Sequence, residues 1–545
     1  MKLKKYLSMV IISLMLVPYS AIIADQNDPV SQEKIEQASK GEGATSGALI
    51  IEDKKIPAVE KPTTQATSTE EGLESFFNSI NGKWAAVLFW SDHPLQLPFI
   101  LVVMAFGGIF FTIRYNFINL KLFRHAIDVV RGKFDDPSHK GEVTHFQALT
   151  SALSATVGLG NIGGVAVAIA LGGPGAVFWL WIVAFFGMSM KFSSVLFAQE
   201  YRIVKKDGKI LGGPMVYLDR GIGEVRPKLK SLGKVFALIF AFFTICASFG
   251  GGNMYQGNQS FELLAAQFPS LADSGLAVGL IMAVFVGIVI IGGIKRIGEV
   301  TSKLVPAMCG FYVVCCLLII FSNLGDVPGL IGSIFKQAFS PDAMWVGGFV
   351  GVLTQGVKRA SFSNEAGLGS AAIAHAAAKT DKPVREGVVA MIGPFIDTHL
   401  VCTMTALAIL ITGAHTDPSL AGKGAAITAK AFESLGAFMP LLLTFATIIF
   451  AYSTMISWSY YGEQSTEYIF GVKAIPVYRM IYVLVVVLGP LLSLSAVIDF
   501  SDLALLSMAF PNIIGMILLS GKAKGMVDSY LADFKAGKFK VFAGE

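Results

Sequence analysis

The chain has 545 residues, a length that would accommodate about three or four soluble domains, but its composition excludes that organisation. Hydrophobic residues make up 54% of the sequence and the mean hydropathy is +0.63, while charged residues make up only 15%, against about 25% in a soluble domain. The net charge of +5 is small and scattered, which excludes an extended nucleic-acid-binding surface. The composition therefore predicts an all-α polytopic membrane protein.

The N-terminus has the three parts of a secretory signal peptide. Three lysines within the first five residues precede a short apolar run, and small residues follow up to Ala24. We therefore expect residues 1–24 to be a signal peptide, with an uncleaved signal anchor as the alternative. Residues 25–95 are rich in polar residues and proline, which predicts a weakly ordered exported tail.

Eleven apolar segments of membrane-spanning length follow, and they define a predicted transmembrane domain over residues 96–520. Segment 7 is too long for one straight span and contains charged residues, so we expect it to be interrupted. Numbered in chain order, the segments are 97–113, 146–171, 175–200, 234–250, 275–294, 303–322, 343–378, 386–412, 438–461, 478–498 and 503–520.

The distribution of basic residues predicts the orientation of these segments. With the N-terminal tail outside, the predicted inner loops carry 28 Lys and Arg residues and the predicted outer loops carry 3. Because Lys and Arg are enriched in cytoplasmic loops, this predicts a multi-pass protein of the plasma (inner) membrane. The N-terminus would lie outside, and residues 521–545 would form a cytoplasmic C-terminal tail.

Segment 2 contains no ionisable side chain but is rich in hydroxyl groups and glycine. The two glycines of residues 158–161 (GLGN) are poor helix formers, which predicts a helix break at the middle of the membrane. Irregular backbone at that depth lines a cavity, where it offers free N–H groups to anions and carbonyl oxygens to cations. The alternative is a glycine face that lets helices approach closely, but such a face does not require Ser151, Ser154, Thr156 and Asn161.

Segment 7 contains a second irregular region, residues 354–370, and lies five segments after segment 2. It must therefore cross the membrane in the opposite direction. Two interrupted segments at matching places in oppositely oriented halves indicate an inverted-repeat transporter with a binding site near the membrane midplane. Segments 2–6 and 7–11 would form a 5+5 repeat, and segment 1 would be one extra N-terminal helix.

Two stretches resemble the sodium:alanine (alanine/glycine:cation) symporter family. Residues 172–189 (GGPGAVFWLWIVAFFGMS) are similar to the signature of that family, with a small departure at Leu180. Residues 356–370 (GVKRASFSNEAGLGS) resemble a second family sequence. The similarity covers about residues 96–520 and implies the LeuT-like fold and Na⁺-coupled uptake of small neutral amino acids.

The resemblance also implies a substrate site at the break of segment 2. Residues 157–161 are similar to the unwound first core helix of LeuT-fold amino-acid transporters. In that arrangement the backbone N–H groups of Leu159 and Gly160 hold the substrate carboxylate, which needs no buried arginine. Asn161 would either add an oxygen at a second cation position or stabilise the break.

Segment 7 would supply oxygen atoms to the substrate ammonium group. We expect these from Thr354, Gln355 and Gly356 near the break, and a break at residues 364–367 is the alternative. The charged residues of this segment are Lys358, Arg359 and Glu365. We expect them in its inner half, where they would extend towards the membrane surface or pair as a gate.

A Na⁺ site between segments 2 and 9 is implied by the same resemblance. Carbonyl and hydroxyl oxygens suit this hard cation and bring no second formal charge. The alternative is that the hydroxyl groups bond their own helix backbone. The residues concerned are Ser154, Thr156, Val157, Phe450, Ser453 and Thr454.

The predicted function is a secondary active transporter that couples Na⁺ entry to the uptake of alanine or glycine, with no enzymatic activity and no organic cofactor. Its partners would be the amino acid, Na⁺ and the lipid bilayer, with no nucleic acid. The alternative is a proton-coupled transporter of the same fold, in which Lys303, Asp397 or His399 would be essential. Asp397 and His399 indicate either a proton relay or a satisfied structural pair in segment 8.

Overall fold

The computed structural model describes residues 77–85, 88, 98–339, 348–420 and 423–542. The predicted signal peptide and most of the predicted exported tail lie outside the described residues.

The described part of the chain is almost entirely helical, as the composition predicts. Its first half contains α1 (Phe99–Arg114), α2 (Ile118–Lys121), α3 (Phe123–Val130), α4 (His145–Thr156), α5 (Val165–Gly172), α6 (Gly175–Tyr201), α7 (Pro214–Val225), α8 (Lys230–Phe249), α9 (Tyr255–Gln267), α10 (Gly275–Ile290), α11 (Gly293–Ser322) and α12 (Val327–Ala338). Between α6 and α7, the short strands β1 (Ile203–Val204) and β2 (Ile210–Leu211) pair in antiparallel register, with Ile203 opposite Leu211.

The second half is helical as well. It contains α13 (Gly348–Asn364), α14 (Ala371–His375), α15 (Pro383–Ala390), α16 (Ile392–Pro394), α17 (Thr403–Thr412), α18 (Gly424–Glu433), α19 (Met439–Phe470), α20 (Ile475–Leu488) and α21 (Leu494–Lys535). Wider π-helical turns join several of these helices, at Gly160–Gly164, Gly250–Met254 and Phe395–Cys402. Single 3₁₀ turns occur at Pro227–Leu229, Pro269–Leu271, Ala414–Thr416, Pro418–Leu420, Val472–Ala474 and Gly489–Leu491.

Within the described residues, seven helical stretches are long and apolar enough to cross a membrane, and the bent pair His145–Thr156 and Gly160–Gly172 makes an eighth. Two shorter apolar helices, α1 and α10, coincide with predicted segments 1 and 5. The helix of segment 7, α13, has 17 residues and belongs to neither group. A polytopic helical membrane protein is therefore confirmed, and the count of eleven spans stays a prediction.

The helix break of segment 2 is confirmed. A capping box starts α4, since the Thr144 hydroxyl accepts from the N–H of Gln147 (3.2 Å) and the Gln147 side chain accepts from the N–H of Thr144 (3.1 Å). The helix ends at Thr156, and the chain bends by 52° before it continues from Gly160. Because α4 packs on α11 and α19, and α5 packs on α6 and α13, the break lies inside the helix bundle.

Segment 4, which we predicted to end at residue 250, extends further along the chain. The helix continues through the turn Gly250–Met254 into α9 and ends at Gln267. A Cβ atom on Gly252 would lie 2.4 Å from the Cβ atom of Trp458. The glycine therefore permits close helix packing.

The break of segment 7 lies at the alternative position. Helix α13 runs without interruption through Thr354, Gln355 and Gly356, so the first expectation was wrong. Residues 365–370 are non-helical, and their φ angles are positive at Glu365 (55°), Gly367 (85°) and Gly369 (88°). Glycine adopts such angles without steric cost, which explains why the helix ends there.

Part of the tail predicted to be weakly ordered is a packed helix. Residues 77–85 are helical. The Trp84 ring stacks on Phe243 (centroids 5.3 Å apart), and the Asn81 side chain donates to the carbonyl of Ala496 (3.1 Å). These contacts fix the end of the tail against α8 and α21.

Candidate functional site

Segments 2 and 9 meet where α4 ends. The Thr454 hydroxyl donates to the carbonyl of Ser154 (3.0 Å), and the Ser154 hydroxyl donates to the carbonyl of Ser453 (2.6 Å). Ser154, Ser453 and Thr454 are at most 1% exposed. The last carbonyls of an α-helix have no partner within the helix, so the end of α4 presents oxygen atoms to this contact.

The carbonyl oxygen of Phe450 belongs to the same group of atoms. It accepts from the hydroxyls of Ser453 (2.8 Å) and Thr454 (3.0 Å). Val157 follows α4 directly, whereas the Thr156 hydroxyl bonds the carbonyls of Ala152 (3.1 Å) and Leu153 (3.2 Å) in its own helix. The structure thus brings together the predicted cation ligands of both segments, with the Thr156 side chain turned to its own backbone.

Asn161 joins the break of segment 2 to segment 8. Its side-chain oxygen accepts from the N–H of Gly158 (3.0 Å), and its side-chain nitrogen donates to Asp397 Oδ1 (2.6 Å) and to the Asp397 carbonyl (3.2 Å). Asn161 and Asp397 are fully buried. The side chain therefore stabilises the break in this structure, which is one of the two roles predicted for it.

Asp397 also connects segment 8 to the break of segment 7. Its Oδ2 atom accepts from the hydroxyls of Ser363 (2.7 Å) and Thr398 (2.7 Å), and Asn364 in turn donates to Thr398 Oγ1 (3.0 Å). His399 stacks instead on Phe395, with centroids 5.8 Å apart. Among the described contacts, Asp397 is thus satisfied by three neutral donors, and the predicted Asp397–His399 pair is wrong.

A small cavity of about 10 Å³, enough for about one water molecule, lies beside the break of segment 2. Its lining comes from the broken segment and from segments 4, 7, 9 and 11, and includes no ionisable side chain among the described residues. The lining residues are Ala155, Thr156, Gly158, Gly160, Gly251, Gln256, Phe362, Trp458 and Leu505.

Gln256 is a cavity residue that the sequence analysis missed. Its side-chain oxygen accepts from the N–H of Leu159 (3.4 Å), one of the predicted carboxylate donors, and its nitrogen donates to the carbonyl of Gly251 (2.8 Å). We had assigned residue 256 to an outer loop because segment 4 was expected to end at residue 250. The polar run of 255–260 within a continuing helix was the signal available.

The three residues predicted near the break of segment 7 to bind the substrate ammonium lie away from the cavity. A Cβ atom on Gly356 would lie 2.7 Å from the Cβ atom of Trp179, and a Cβ atom on Gly172 would lie 3.6 Å from that of Gln355. Seven helical positions separate Gln355 from Phe362, which corresponds to about 10 Å along the axis. The structure therefore does not bring Thr354, Gln355 and Gly356 to the site.

Charged residues of segment 7 are separated by the break. Arg359 precedes it and forms a buried ion pair with Asp502 of α21, and its guanidinium carbon lies 5.5 Å from the centre of the Phe362 ring. Glu365 lies within the break and accepts from the Ser370 hydroxyl (2.5 Å). The position of Lys358, Arg359 and Glu365 in the inner half stays a prediction, and Arg359 supports a wall of the cavity.

Comparisons with known proteins identify a family. The family model described as sodium:alanine symporter family matches residues 82–544, which extends the predicted similarity at both ends. The sodium/alanine symporter AgcS of Methanococcus maripaludis is 44% identical over 426 residues, which cover 78% of this chain and 92% of that protein. The probable sodium/glutamine symporter GlnT of Bacillus subtilis is 34% identical over 457 residues, with 84% and 91% covered. Among solved structures, MhsT in complex with L-phenylalanine matches with a TM-score of 0.49 and 14% identity, over 70% of this chain and 99% of that chain.

Proposed function

The chain belongs to the sodium:alanine symporter family, and we propose that it couples the entry of Na⁺ to the uptake of alanine or glycine. One observation carries this proposal. The oxygen atoms of Ser154, Phe450 and Thr454 converge beside a cavity whose described walls hold no ionisable side chain.

The proposed Na⁺ site uses the hydrogen-bonded contact between α4 and α19. Carbonyl oxygens of Ser154, Val157 and Phe450 and hydroxyl oxygens of Ser453 and Thr454 would coordinate the ion. The carbonyls at the end of α4 also carry the partial negative charge of a helix C-terminus, which favours a cation. Na⁺ would replace the hydroxyl protons as the partner of these carbonyls, so binding would tighten the contact between segments 2 and 9.

The substrate carboxylate would bind at the start of the second half-helix, Gly160–Gly172. The N–H groups of Leu159 and Gly160 lie at a helix N-terminus, which favours an anion. Gln256 now occupies the Leu159 donor at 3.4 Å, and its side chain would turn to admit the carboxylate. Thr354, Gln355 and Gly356 are not part of the proposed site, because they lie outside the cavity.

Charge balance supports a zwitterionic substrate. A net charge in the cavity would be uncompensated, which costs about 2.5–3.5 kcal/mol even on lenient membrane-insertion scales. A neutral amino acid avoids this cost, since its carboxylate meets N–H groups and Na⁺ and its ammonium meets carbonyl oxygens. Phe362, Trp458 and Leu505 restrict the space for a side chain, which favours alanine and glycine over larger amino acids.

We propose the predicted membrane arrangement together with this function. Segments 2–6 and 7–11 would form the inverted halves, and their two breaks would flank the site. The N-terminus would lie outside the plasma membrane after removal of residues 1–24, and the C-terminus would lie in the cytoplasm. The 28 basic residues in the predicted inner loops support this orientation.

Transport by the purified protein in liposomes tests the proposal. We expect uptake of labelled alanine with an imposed Na⁺ gradient and none with a proton gradient alone. Unlabelled alanine and glycine should compete strongly, serine less, leucine weakly, and glutamate and lysine not at all. Proton-driven uptake without Na⁺ would contradict the ion assignment, and strong inhibition by glutamate or lysine with little by glycine would contradict the substrate assignment.

A further inference from the structure

Three buried titratable side chains cluster away from the cavity, at the start of α4. Glu386 of α15 accepts hydrogen bonds from Nδ1 of His145, the first residue of α4, and from Nδ1 of His375 (2.5 Å), the last residue of α14. His145 is 1% exposed, and His375 and Glu386 are fully buried. This His145–Glu386–His375 cluster joins the beginning of the first broken segment to the end of the second.

Backbone contacts around the cluster hold the same elements together. The N–H of Glu142 donates to the carbonyl of Ala377 (2.7 Å), and the N–H of Lys379 donates to the carbonyl of Val143 (2.8 Å). In the proposed orientation these residues face the cytoplasm. A path from the cavity to the cytoplasm between the two broken segments would have to separate these contacts and admit water to the cluster.

The charge of Glu386 makes the closed cluster a proton acceptor. Burying a carboxylate is costly unless a positive charge compensates it, and the two imidazoles are its hydrogen-bond donors among the described residues. Two neutral imidazoles would leave the cluster with a net negative charge. One additional proton, held as an imidazolium, makes it neutral. In water an imidazole has a pKa of about 6.5 and is mostly neutral at cytoplasmic pH.

Other charged groups surround the cluster from each packed element. Asp135 Oδ1 lies 3.8 Å from Nε2 of His145 and adds a second carboxylate beside the cluster. Four basic residues oppose the additional proton, and the carbonyls that Arg202 and Lys191 bond do not neutralise their charges. Arg202 donates to the carbonyls of Lys140, Ala376, Ala378 and Thr380. Lys191 donates to the carbonyl of Asn364. Arg385 lies 3.7 Å from Asp381, and Lys379 is partly exposed.

We propose that the His145–Glu386–His375 cluster binds a proton when the cytoplasmic side of the transporter closes and releases it when that side opens. The proton enters and leaves on the same side, so it regulates the cycle without being transported. Low cytoplasmic pH then favours the closed side and slows release of the amino acid. This inference rests on the proposed function for its transport assay.

Right-side-out membrane vesicles with a fixed Na⁺ gradient and a fixed external pH test the proposal. We expect alanine uptake to be faster at internal pH 8 than at internal pH 6, by up to about tenfold if closing raises the pKa of the cluster by one unit. Glu386→Gln and His375→Gln should remove this dependence. His139→Gln is the matched control, since His139 is a partly exposed histidine of the same predicted inner loop as His145, and it should keep the wild-type profile.

A measurement on the wild-type protein tests the proposal even if the variants do not fold. When Na⁺ and alanine are added in weak buffer at pH 7.5, the purified protein should take up as much as one proton per molecule, because in the proposed uptake cycle both ligands load from outside while the cytoplasmic side is closed. An absence of proton uptake, or wild-type internal pH dependence in Glu386→Gln, would overturn the cluster's role. A flat internal pH profile with intact Na⁺ dependence would overturn this inference alone, whereas loss of Na⁺ dependence would overturn the proposed function.

Discussion

The hydroxyl oxygen of Thr454 lies 3.0 Å from the carbonyl oxygen of Ser154, although 300 positions separate the two residues. This contact joins the end of α4, where the first broken segment begins to unwind, to the middle of the continuous helix α19. An ion bound there would bridge the broken segment 2, whose direction changes at the break, and the continuous helix α19. Binding of Na⁺ at this contact would therefore change the stability of the break itself.

Replacing Thr454 by alanine should weaken Na⁺ binding. The variant loses one proposed hydroxyl ligand of the ion, a loss of about 1–3 kcal/mol. We expect the Na⁺ concentration for half-maximal alanine uptake to rise about tenfold or more, with normal membrane insertion. Thr447→Ala is the matched control, since Thr447 is a fully buried threonine two turns earlier on the same helix. Equal Na⁺ dependence in the two variants would remove Thr454 from the site.

Gly158→Ala should damage the same site through a steric contact. Its Cβ atom would lie 2.5 Å from Thr454 Oγ1 and 3.2 Å from Gln256 Oε1, and both atoms belong to the proposed binding region. We expect loss of Na⁺-dependent alanine binding, measured by calorimetry on the purified protein. At Gly164 the nearest atom is 3.7 Å from a new Cβ, so Gly164→Ala should bind alanine normally. Normal binding by Gly158→Ala would show that the region repacks without functional cost.

The two kinds of glycine in this chain explain why some helix boundaries were predicted and others were not. Gly252 and Gly356 allow close packing against Trp458 and Trp179 inside continuous helices, whereas Gly367 and Gly369 supply positive φ angles where a helix ends. The sequence shows only that a residue is glycine. The residue that packs against it, and that leaves no room for a side chain, lies far along the chain. Apolar segments were predictable because their hydrophobicity is a local property.

The residues of the candidate site were also predicted only in part. Ser154, Ser453 and Thr454 were identified because they lie in local sequence patterns that resemble a known family. Gln256 and Ser363 were not identified, because their partners Leu159 and Asp397 lie 97 and 34 positions away. Polar residues inside apolar segments signalled a site, but the sequence could not pair them.

Asp397→Asn should reduce transport and stability together. The amide has one acceptor oxygen in place of two, and its NH₂ group would face the hydroxyls of Ser363 or Thr398. We expect a cost of about 1–3 kcal/mol, seen as a lower unfolding temperature and slower alanine uptake. His399→Gln should retain uptake, because His399 makes no contact with Asp397 among the described interactions. Loss of uptake in His399→Gln would favour the proton-coupled alternative.

The Arg359–Asp502 ion pair should be energetically coupled to the cavity wall. Removing one partner of a buried pair leaves an uncompensated charge, which costs about 3–5 kcal/mol. We expect Arg359→Gln and Asp502→Asn each to lower the apparent affinity for alanine strongly, because Arg359 stacks on Phe362. In a double-mutant cycle of alanine binding, the double variant should lose less binding free energy than the sum of the losses in the two single variants. Additive losses would show that the pair does not act as a unit.

His125 lies in a predicted cytoplasmic loop, and its pKa predicts how acid affects the packing of the C-terminal residues against it. Burial, followed by the nearby charge of Arg385, lowers the pKa of His125 from 6.5 to about 4. Its Nε2 atom bonds the Tyr530 hydroxyl (2.7 Å), and its ring lies 6.0 Å from that of Phe539. Because the folded pKa lies below the unfolded value, the stabilisation is fully present above pH 6.5 and is lost as the pH falls towards 4.

We therefore expect residues 536–542 to detach progressively below pH 6.5. The rate at which an acid-tolerant protease removes a C-terminal tag should rise over this range. His125→Phe keeps the aromatic packing against Phe134 and Phe539 but cannot acquire a charge, so its cleavage rate should change little with pH. The same rise in His125→Phe would assign the effect to another group, since His125 would then not be the residue that titrates.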